Sequence, residues 1–275
     1  MVTITALNVY PVKSCKGIAL ETARLLTTGI EHDREWLIVR PNGQFITQRE
    51  EPRLALVTTS LTDSALVLES PQAGTLTVPF DAAGTPVEVT CWRDRCAAFD
   101  AGETAAAWLE AHLGKPYRLV RFDPARKRLS SMEWTRGVEA PNQFSDGYPF
   151  LVISQASLDD LNARLPKALP MNRFRPNIVV DGLPAYGEDT VHEFSVDGIT
   201  LRVAKPCARC AITTTDQVHG ERDGEEPLRT LRGYRFSREL MGVLFGQNVI
   251  LIRGSDHELR TGQRLDVMWK ETAPA

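Results

Sequence analysis

Residues 205–216 read Lys205-Pro206-Cys207-Ala208-Arg209-Cys210-Ala211-Ile212-Thr213-Thr214-Thr215-Asp216, and the short strands predicted around this stretch decide the fold class. The stretch concentrates two thiols, two cations and an acid. Strand-like sequence precedes it at Thr200 to Ala204 and follows it at Asn248 to Arg253. We therefore expect residues 205–216 to form strand or loop within a strand-rich region.

Short strand-like segments dominate the rest of the chain. They are rich in Val, Leu, Ile and Thr, and turn residues separate them. This spacing predicts an α+β, strand-dominated, barrel-like fold with few helices. A boundary near residue 118 divides it into an N-terminal barrel-like domain, 1–118, and a second barrel domain, 119–275. The other predicted strands are Thr3 to Tyr10, Glu35 to Arg40, Leu54 to Ser60, Ala65 to Glu69, Thr75 to Val78, Val87 to Trp92, Arg118 to Phe122, Phe150 to Ser154, Asn177 to Asp181, Val191 to Val196 and Arg264 to Trp269.

Helical patterns are few. Apolar residues recur at helical spacing from Ala101 to Leu113, and Gly114 with Pro116 predicts the end of that helix. Capping-box spacing at Ser157 to Asp160 predicts a helix that opens there and runs to Leu165. Two short helices fit between Pro227 and Met241, and the polar segment Asp123 to Asp146 is predicted to be a long loop.

Composition excludes several classes of protein. The net charge of -3, from 32 basic and 35 acidic side chains, provides no overall attraction to nucleic acid or to an anionic membrane. We find no signal peptide and no apolar run long enough to span a membrane. The five cysteines are an odd number in a long chain, so we expect reduced thiols and a cytoplasmic protein.

The pair Cys207 and Cys210 allows three interpretations from spacing alone. It could be half of a zinc site, completed by Cys91 and Cys96. It could be a dithiol redox pair, although such pairs usually lie at a helix N-terminus. It could also consist of packed thiols. The flanking cations Lys205 and Arg209 favour thiolate, the form that binds soft metals through sulfur.

Three further segments combine cations with turns, as an anion site requires. Lys13 and Ser14 follow a predicted strand and are closed by Gly17. Arg34 precedes another strand, and Arg175 lies in Asn172-Arg173-Phe174-Arg175-Pro176-Asn177. Each segment alone is also compatible with a surface ion pair.

These motifs resemble those of MOSC-domain proteins that carry the associated N-terminal β-barrel domain, and most of all the branch of the mitochondrial amidoxime-reducing component and its bacterial relatives. The resemblance spans almost the whole chain and depends on the order and joint presence of its motifs. Those motifs are Tyr10-Pro-Val-Lys-Ser-Cys-Lys-Gly17, Asp33-Arg34 with Trp36, Gln48-Arg-Glu-Glu-Pro-Arg-Leu54, Phe174-Arg-Pro-Asn-Ile178, Cys207-Ala-Arg-Cys210 with Thr213, Thr214 and Asp216, Glu226-Pro-Leu-Arg-Thr-Leu231 and Leu244-Phe-Gly246.

The resemblance implies a molybdenum cofactor, with the metal bound to the sulfur of Cys210. Cys207 is then a packed thiol. Asp216 is implied as a proton-delivering residue, although a turn role before Gly220 is an equal alternative. The residues implied to hold the pterin and its phosphate are Lys13, Ser14, Arg34, Arg175 and Arg209, with Gly147 and Tyr148 of the loop Ser145 to Tyr148.

The implied activity is reduction of N-hydroxylated compounds such as amidoximes, hydroxylamines and N-hydroxylated bases. No membrane anchor precedes the matched region, and no cysteine follows Cys210 to hold an iron–sulfur cluster. We therefore expect a separate electron donor, a flavoprotein or a ferredoxin-like protein. One departure concerns Gln217, where relatives usually have proline after the aspartate.

Three other functions remain open at this point. Cys210 could carry a persulfide and transfer sulfur. The chain could store or deliver the molybdenum cofactor without turnover. It could also be a structural zinc domain that unfolds without its metal.

Overall fold

The computed structural model describes residues 1–271. The helices are α1 (Glu103–Leu113), α2 (Gln155–Arg164) and α3 (Leu228–Arg232). The strands are β1 (Val2–Val9), β2 (Ile18–Leu20), β3 (Thr22–Leu26), β4 (Gly29–Ile30), β5 (Trp36–Val39), β6 (Thr58–Leu61), β7 (Ala65–Ser70), β8 (Gly74–Pro79), β9 (Thr85–Cys91), β10 (Asp94–Asp100), β11 (Arg118–Phe122), β12 (Arg128–Leu129), β13 (Pro141–Asn142), β14 (Phe150–Ser154), β15 (Ile178–Asp181), β16 (Val191–Val196), β17 (Ile199–Ala208), β18 (Thr215–Asp216), β19 (Glu221–Arg222), β20 (Phe236–Ser237), β21 (Gly242–Arg253), β22 (Glu258–Arg260) and β23 (Arg264–Trp269).

A closed barrel forms the larger part of the molecule. Its strands follow the order β14, β15, β1, β23, β16, β17 and β21, and β21 pairs again with β14 to close the ring. The β14–β15 pair is parallel and the other pairs are antiparallel. Closure removes the unpaired edges that an open sheet exposes. Large side chains such as Phe150, Phe194 and Leu201 fill the interior.

Two further sheets form a second, smaller β region. One sheet has the order β5, β11, β10 and β9, and a second has the order β6, β7 and β8. The helix α1 packs there through Trp108 and Leu109, close to the fully buried Trp36. The α1 helix ends at Leu113, where the sequence predicted its end, and its C-cap Gly114 is left-handed with a φ of 71°. The strand-dominated α+β class is thus confirmed.

The first strand of the chain belongs to the large barrel. β1 lies between β15 and β23, so residues 2–9 pair with strands that follow them by more than 160 residues. The division into 1–118 and 119–275 stays a prediction. Within residues 1–271, no helix is both long and apolar enough to cross a membrane.

Several sequence-based element predictions were wrong in detail. Residues Pro52–Leu56 form a 3-10 turn, so the strand expected from Leu54 begins only at β6. The chain between Pro227 and Met241 contains one helix, α3, followed by the short strand β20. The sequence pattern also failed to reveal β3 and β10, whose strands mix exposed polar or charged residues with buried apolar ones.

The start of α2 is stabilised differently from the predicted capping box. The helix begins at Gln155, and the hydroxyl of Ser157 donates to the carboxylate of Glu188 at 2.8 Å. The backbone N–H of Ser154 donates to the same carboxylate at 3.2 Å. Glu188 is fully buried, and desolvation raises the pKa of its carboxyl group despite these donors. Glu188, which is distant in the sequence, therefore accepts the hydrogen bonds at the start of α2.

Glu188→Gln is expected to flatten the pH dependence of stability. Because the folded state holds the Glu188 proton more tightly than the unfolded chain, the free energy of unfolding should fall as pH rises through the raised pKa. The neutral amide removes this titration. Urea unfolding between about pH 5 and about pH 8 measures the slope, with the exposed Glu103→Gln as a control that should leave it unchanged. Equal slopes in the wild type and Glu188→Gln would contradict the prediction.

Candidate active site

A cavity of about 250 Å³ lies where the barrel meets the smaller β region. It collects side chains from segments that are far apart in the sequence, including the loop after β1, the residue before β5, the turn before β15 and the end of β17. Its lining residues are Lys13, Ser14, Arg34, Ser145, Asp146, Tyr148, Phe150, Leu151, Phe174, Arg175, Asn177, Lys205, Pro206, Cys207, Ala208, Arg209, Cys210, Ile212 and Asn248. Of the predicted site residues, only Gly147 and Asp216 do not line it.

Three residues of the cavity have backbones in the left-handed region. The φ angles of Ser14, Arg34 and Arg175 are 69°, 49° and 56°. Each such non-glycine residue costs roughly 1–3 kcal/mol, and such residues concentrate at functional sites. The surrounding fold imposes these conformations by hydrogen bonds such as the one from the Arg34 backbone N–H to the Tyr10 carbonyl oxygen at 2.8 Å.

The arginines of the cavity differ in how their charge is balanced. Arg34 donates to the carboxylate of the buried Asp33 at 2.6 Å. Arg175 and Arg209 make no ion pair with a carboxylate within residues 1–271, and donate instead to carbonyl oxygens of Cys15 and Phe174, each at 2.6 Å. Desolvation and the neighbouring Arg34 lower the pKa of Arg175 to about 10. The inner cavity therefore has positive charge that protein groups do not neutralise.

Some residues that line the cavity have buried polar atoms without partners. Among the described residues they include Ser14 Oγ, Tyr148 Oη, Arg175 Nη2 and Arg209 Nε. Unpaired buried donors are destabilising, by about 1–3 kcal/mol each, and are rare in proteins that do not bind a ligand there. Two of these four atoms belong to Arg175 and Arg209, the cations without carboxylate partners, and the whole set fits an anionic and hydrogen-bonding cofactor.

Cys210 lies at the end of the β17 segment, at the N-terminus of the 3-10 turn Ala211–Thr214. Burial raises the pKa of its thiol, and Asp146 raises it further, against the opposing effects of the Ile212 N–H, Arg209 and Arg49. Arg209 thus favours the thiolate, as expected from its position in the sequence, but desolvation has the larger effect. Arg209 also donates to the sulfur of Cys207 at 3.0 Å.

The loop Ser145 to Tyr148 forms one wall of the cavity. Lys13 forms an ion pair with Asp146 and donates to the Phe144 carbonyl oxygen at 2.7 Å. Desolvation raises the pKa of Asp146, but the Lys13 ammonium outweighs it and holds the pKa below its usual range. Gly147, with a φ of 137°, shapes the loop without lining the cavity.

Asp216 is part of a turn beside the cavity. Its carboxylate accepts the backbone N–H groups of Val218 at 2.7 Å and His219 at 3.0 Å, and lies 3.4 Å from Arg173 Nη2. Desolvation raises the pKa of Asp216, but those N–H groups outweigh it and lower the pKa to about 2. Its role in proton delivery stays a prediction, and the geometry favours the alternative turn role.

We expect Asp216→Asn to affect stability more than catalysis. An ionised carboxylate with a lowered pKa stabilises the fold above its unfolded pKa, and this contribution is lost as pH falls towards about 2. The variant should therefore unfold more easily at neutral pH, by about 1–2 kcal/mol. Substrate turnover should stay within about threefold of the wild type, since loss of a general acid lowers rates by about 100-fold or more. If turnover by a folded variant fell by about 100-fold or more, the result would support a role for Asp216 in proton delivery.

Gln217 forms a buried link between the two halves of the site. Its side-chain amide and that of Gln48 donate to each other, at 2.9 Å and 3.2 Å. Gln48 also donates to the Ser14 carbonyl oxygen at 2.7 Å. Position 217, where relatives usually have proline, is a glutamine. Its hydrogen bonds to Gln48 connect the hairpin after Cys210 to the loop that contains Ser14.

Comparison with known proteins is decisive for the family. Residues 1–116 match the MOSC N-terminal beta barrel domain, and residues 139–266 match the MOSC domain. The chain belongs to the MOSC family. This MOSC protein is homologous to mitochondrial amidoxime-reducing components 1 and 2. It is 35% identical to component 1 of Mus musculus over 254 residues, which cover 89% of this chain and 75% of the relative. It is also 35% identical to component 1 of Homo sapiens, with 90% of this chain and 78% of the relative covered. It is 35% identical to component 2 of Bos taurus, with 85% of this chain and 72% of the relative covered.

Sequence reasoning did not select every residue that the fold brings to this MOSC site. Asp146 and Asn177 line the cavity beside the predicted cations. Asn177 accepts from Arg34 at 3.0 Å and donates to Asp33 at 3.0 Å. A signal for Asn177 existed, since it lies in the Phe174-Arg-Pro-Asn-Ile178 motif. Asp146 lies in the loop Ser145 to Tyr148, which the resemblance implied to be near the cofactor, although only Gly147 and Tyr148 were selected from it.

Proposed function

We propose that this MOSC protein is a molybdenum-cofactor-dependent reductase of N-hydroxylated compounds, which receives electrons from a separate redox partner. The observation that carries the proposal is the set of four unpartnered polar atoms around a cationic cavity that also contains Cys210. The homologues named for amidoxime reduction support the substrate class.

The cavity residues divide into groups by the part of the cofactor that they suit. Arg175 and Arg209 would hold the phosphate, because their positive charge lacks a carboxylate partner. Ser14 and Tyr148 would hydrogen-bond to polar pterin edges, and the sulfur of Cys210 would bind molybdenum. When bound, the cofactor supplies the two-electron redox chemistry that breaks the N–O bond.

The protein's own contribution is to orient these groups and to define the charge near the substrate. Desolvation and the nearby Glu133 raise the pKa of Tyr148 to about 12, so its hydroxyl group stays protonated and can donate a hydrogen bond. Lys13 holds Asp146 ionised at the cavity mouth. Burial keeps the unligated Cys210 thiol protonated, so binding of the metal should release a proton.

The overall reaction defines what a partner must supply. Reduction of an amidoxime to an amidine takes two electrons and two protons and releases water. The proposed donor is a flavoprotein or a ferredoxin-like protein, which this chain would meet through its exposed surface.

A metal analysis combined with an activity assay tests the proposal. The protein is purified from a host that makes the cofactor, molybdenum and zinc are quantified, and amidoxime reduction is measured with a chemical electron source. Near-stoichiometric molybdenum with turnover supports the reductase. Molybdenum without turnover of any N-hydroxylated compound would favour a cofactor carrier, and a folded protein without metal would favour sulfur transfer.

The zinc alternative has no support from the geometry. Within residues 1–271, no three His, Cys, Asp or Glu side chains are grouped so that they could hold a metal ion together. Cys91 and Cys96 are buried in the β9–β10 hairpin and belong to a hydrophobic core of the smaller β region.

A further inference from the structure

Two cations near the cavity mouth have no role in the function proposed above. The guanidinium carbon of Arg49 lies 4.5 Å from the ring centre of Trp92. The ammonium of Lys205 lies 4.6 Å from the ring centre of Trp134. Each cation thus rests on an indole ring, an arrangement that orders a flexible charged side chain while leaving it positive.

Each pair is connected to the lining of the cavity. Lys205 lines the cavity itself. The indole N–H of Trp92 donates at 3.3 Å to Asp146, which also lines the cavity. We call Arg49, Lys205 and the two indoles the cationic rim.

The charges of the cationic rim lack strong partners within residues 1–271. Arg49 Nε donates to Thr47 Oγ1 at 3.1 Å, and its closest carboxylate oxygen, on Glu50, is 4.0 Å away. Its two terminal nitrogens have no hydrogen-bond partner in the described part of the chain, and neither has the Lys205 ammonium. The nearby Asp146 is already paired with Lys13, so it does not neutralise the rim.

The backbone conformation at Trp92 is unusual for a tryptophan, which points to a functional role of its indole. Trp92 has a φ of 59° in the two-residue turn between β9 and β10, where hairpins favour glycine or asparagine. A bulky aromatic residue in this conformation is an outlier. Trp92 is 36% exposed, so burial in a hydrophobic core does not explain why a tryptophan occupies this turn.

We propose that Arg49 and Lys205 form a subsite for an anionic substituent of the substrate, a carboxylate or a phosphate carried by a planar group. The inference rests on the proposed reductase function and narrows its substrate class to anionic N-hydroxylated compounds. The cofactor phosphate is a less suitable occupant, because it is assigned to Arg175 and Arg209, whose buried atoms Nη2 and Nε have no hydrogen-bond partner. Two arginine or lysine donors around one anion form charge-assisted hydrogen bonds.

A matched pair of substrates tests the subsite. Benzamidoxime and 4-carboxybenzamidoxime are compared in the wild type, Arg49→Gln, Lys205→Gln and the double variant, with exposed Lys167→Gln as a control for net charge. The ratio of kcat/KM for the carboxylated substrate to that for the neutral one should fall about fivefold to tenfold in each single variant, mainly through KM. It should fall further in the double variant and stay unchanged in Lys167→Gln.

The possible results separate this inference from the reductase function. An unchanged ratio, or an equal loss for both substrates, would overturn the subsite while leaving the reductase intact. If the wild type reduces neither compound, the reductase proposal fails, and quenching of tryptophan fluorescence then measures binding directly. In that case, equal Kd values of the carboxylated compound for the wild type and the double variant would overturn the subsite, and a weaker Kd in the variant would support it.

Discussion

Replacing Cys210 by alanine is expected to remove bound molybdenum and to lower amidoxime reduction at least about a thousandfold, because the only protein sulfur assigned to the metal is lost. The thiol is half-buried at the N-terminus of a short 3-10 turn, so a methyl group fits with little strain. The apoprotein should therefore fold as the wild type does. Elemental analysis and single-turnover assays of the purified variant measure the effect.

Cys207→Ala is the matched control for that substitution. Cys207 lines the same cavity three residues earlier, and its sulfur accepts a hydrogen bond from Arg209. We expect it to retain metal and to keep activity within about fivefold, since a sulfur atom is a weak hydrogen-bond acceptor. Equal metal loss in both variants would indicate a dithiol site, and metal retained in Cys210→Ala would disprove the assigned ligand.

Arg175→Met is expected to separate cofactor binding from stability. Arg175 is buried beside Arg34, makes no ion pair with a carboxylate within residues 1–271, and has its pKa lowered to about 10. Its removal should therefore change the free energy of unfolding of the apoprotein by less than about 1 kcal/mol, because relief of a desolvated charge offsets the lost hydrogen bond to Cys15. Cofactor retention during dialysis should fall by at least about tenfold, since the phosphate loses a buried cation.

Arg34→Met provides the contrast, because Arg34 has a carboxylate partner. Its loss leaves the buried Asp33 without its cation, and breaking such a pair costs about 3–5 kcal/mol. Urea unfolding of both apoproteins should show a large loss for Arg34→Met and almost none for Arg175→Met. A comparable loss in Arg175→Met would mean that Arg175 holds the fold together rather than serving a ligand.

The cation clusters were predictable from sequence because their chemistry is local. Lys13 with Ser14, Arg34 and Arg175 each lie beside a predicted strand, and arginine and lysine near a turn are the donors that an anion requires. That these residues line one cavity was inferred only from the resemblance to a family. No rule of spacing relates residue 13 to residue 175.

The charge state of Cys210 and the surroundings of Asp216 were not predictable in this way. Cations next to the thiol in sequence indicated a thiolate, yet desolvation raises the pKa of Cys210. The Lys205 ammonium rests on Trp134 instead. Asp216 stabilises a turn, because the backbone N–H groups two and three positions later donate hydrogen bonds to its carboxylate. Both outcomes depend on atoms that a sequence pattern does not locate.

The sequence by itself determined that this protein is strand-dominated and has several cation-bearing turns, since alternation of apolar residues, turn residues and charge are properties of neighbouring positions. Only the tertiary structure decided that β1 is inserted between β15 and β23 of the barrel, and that Gln48 pairs with Gln217. These contacts join residues separated by 169 positions or more. Their formation depends on how whole surfaces pack and on which buried polar groups find partners, and both are properties of the assembled fold.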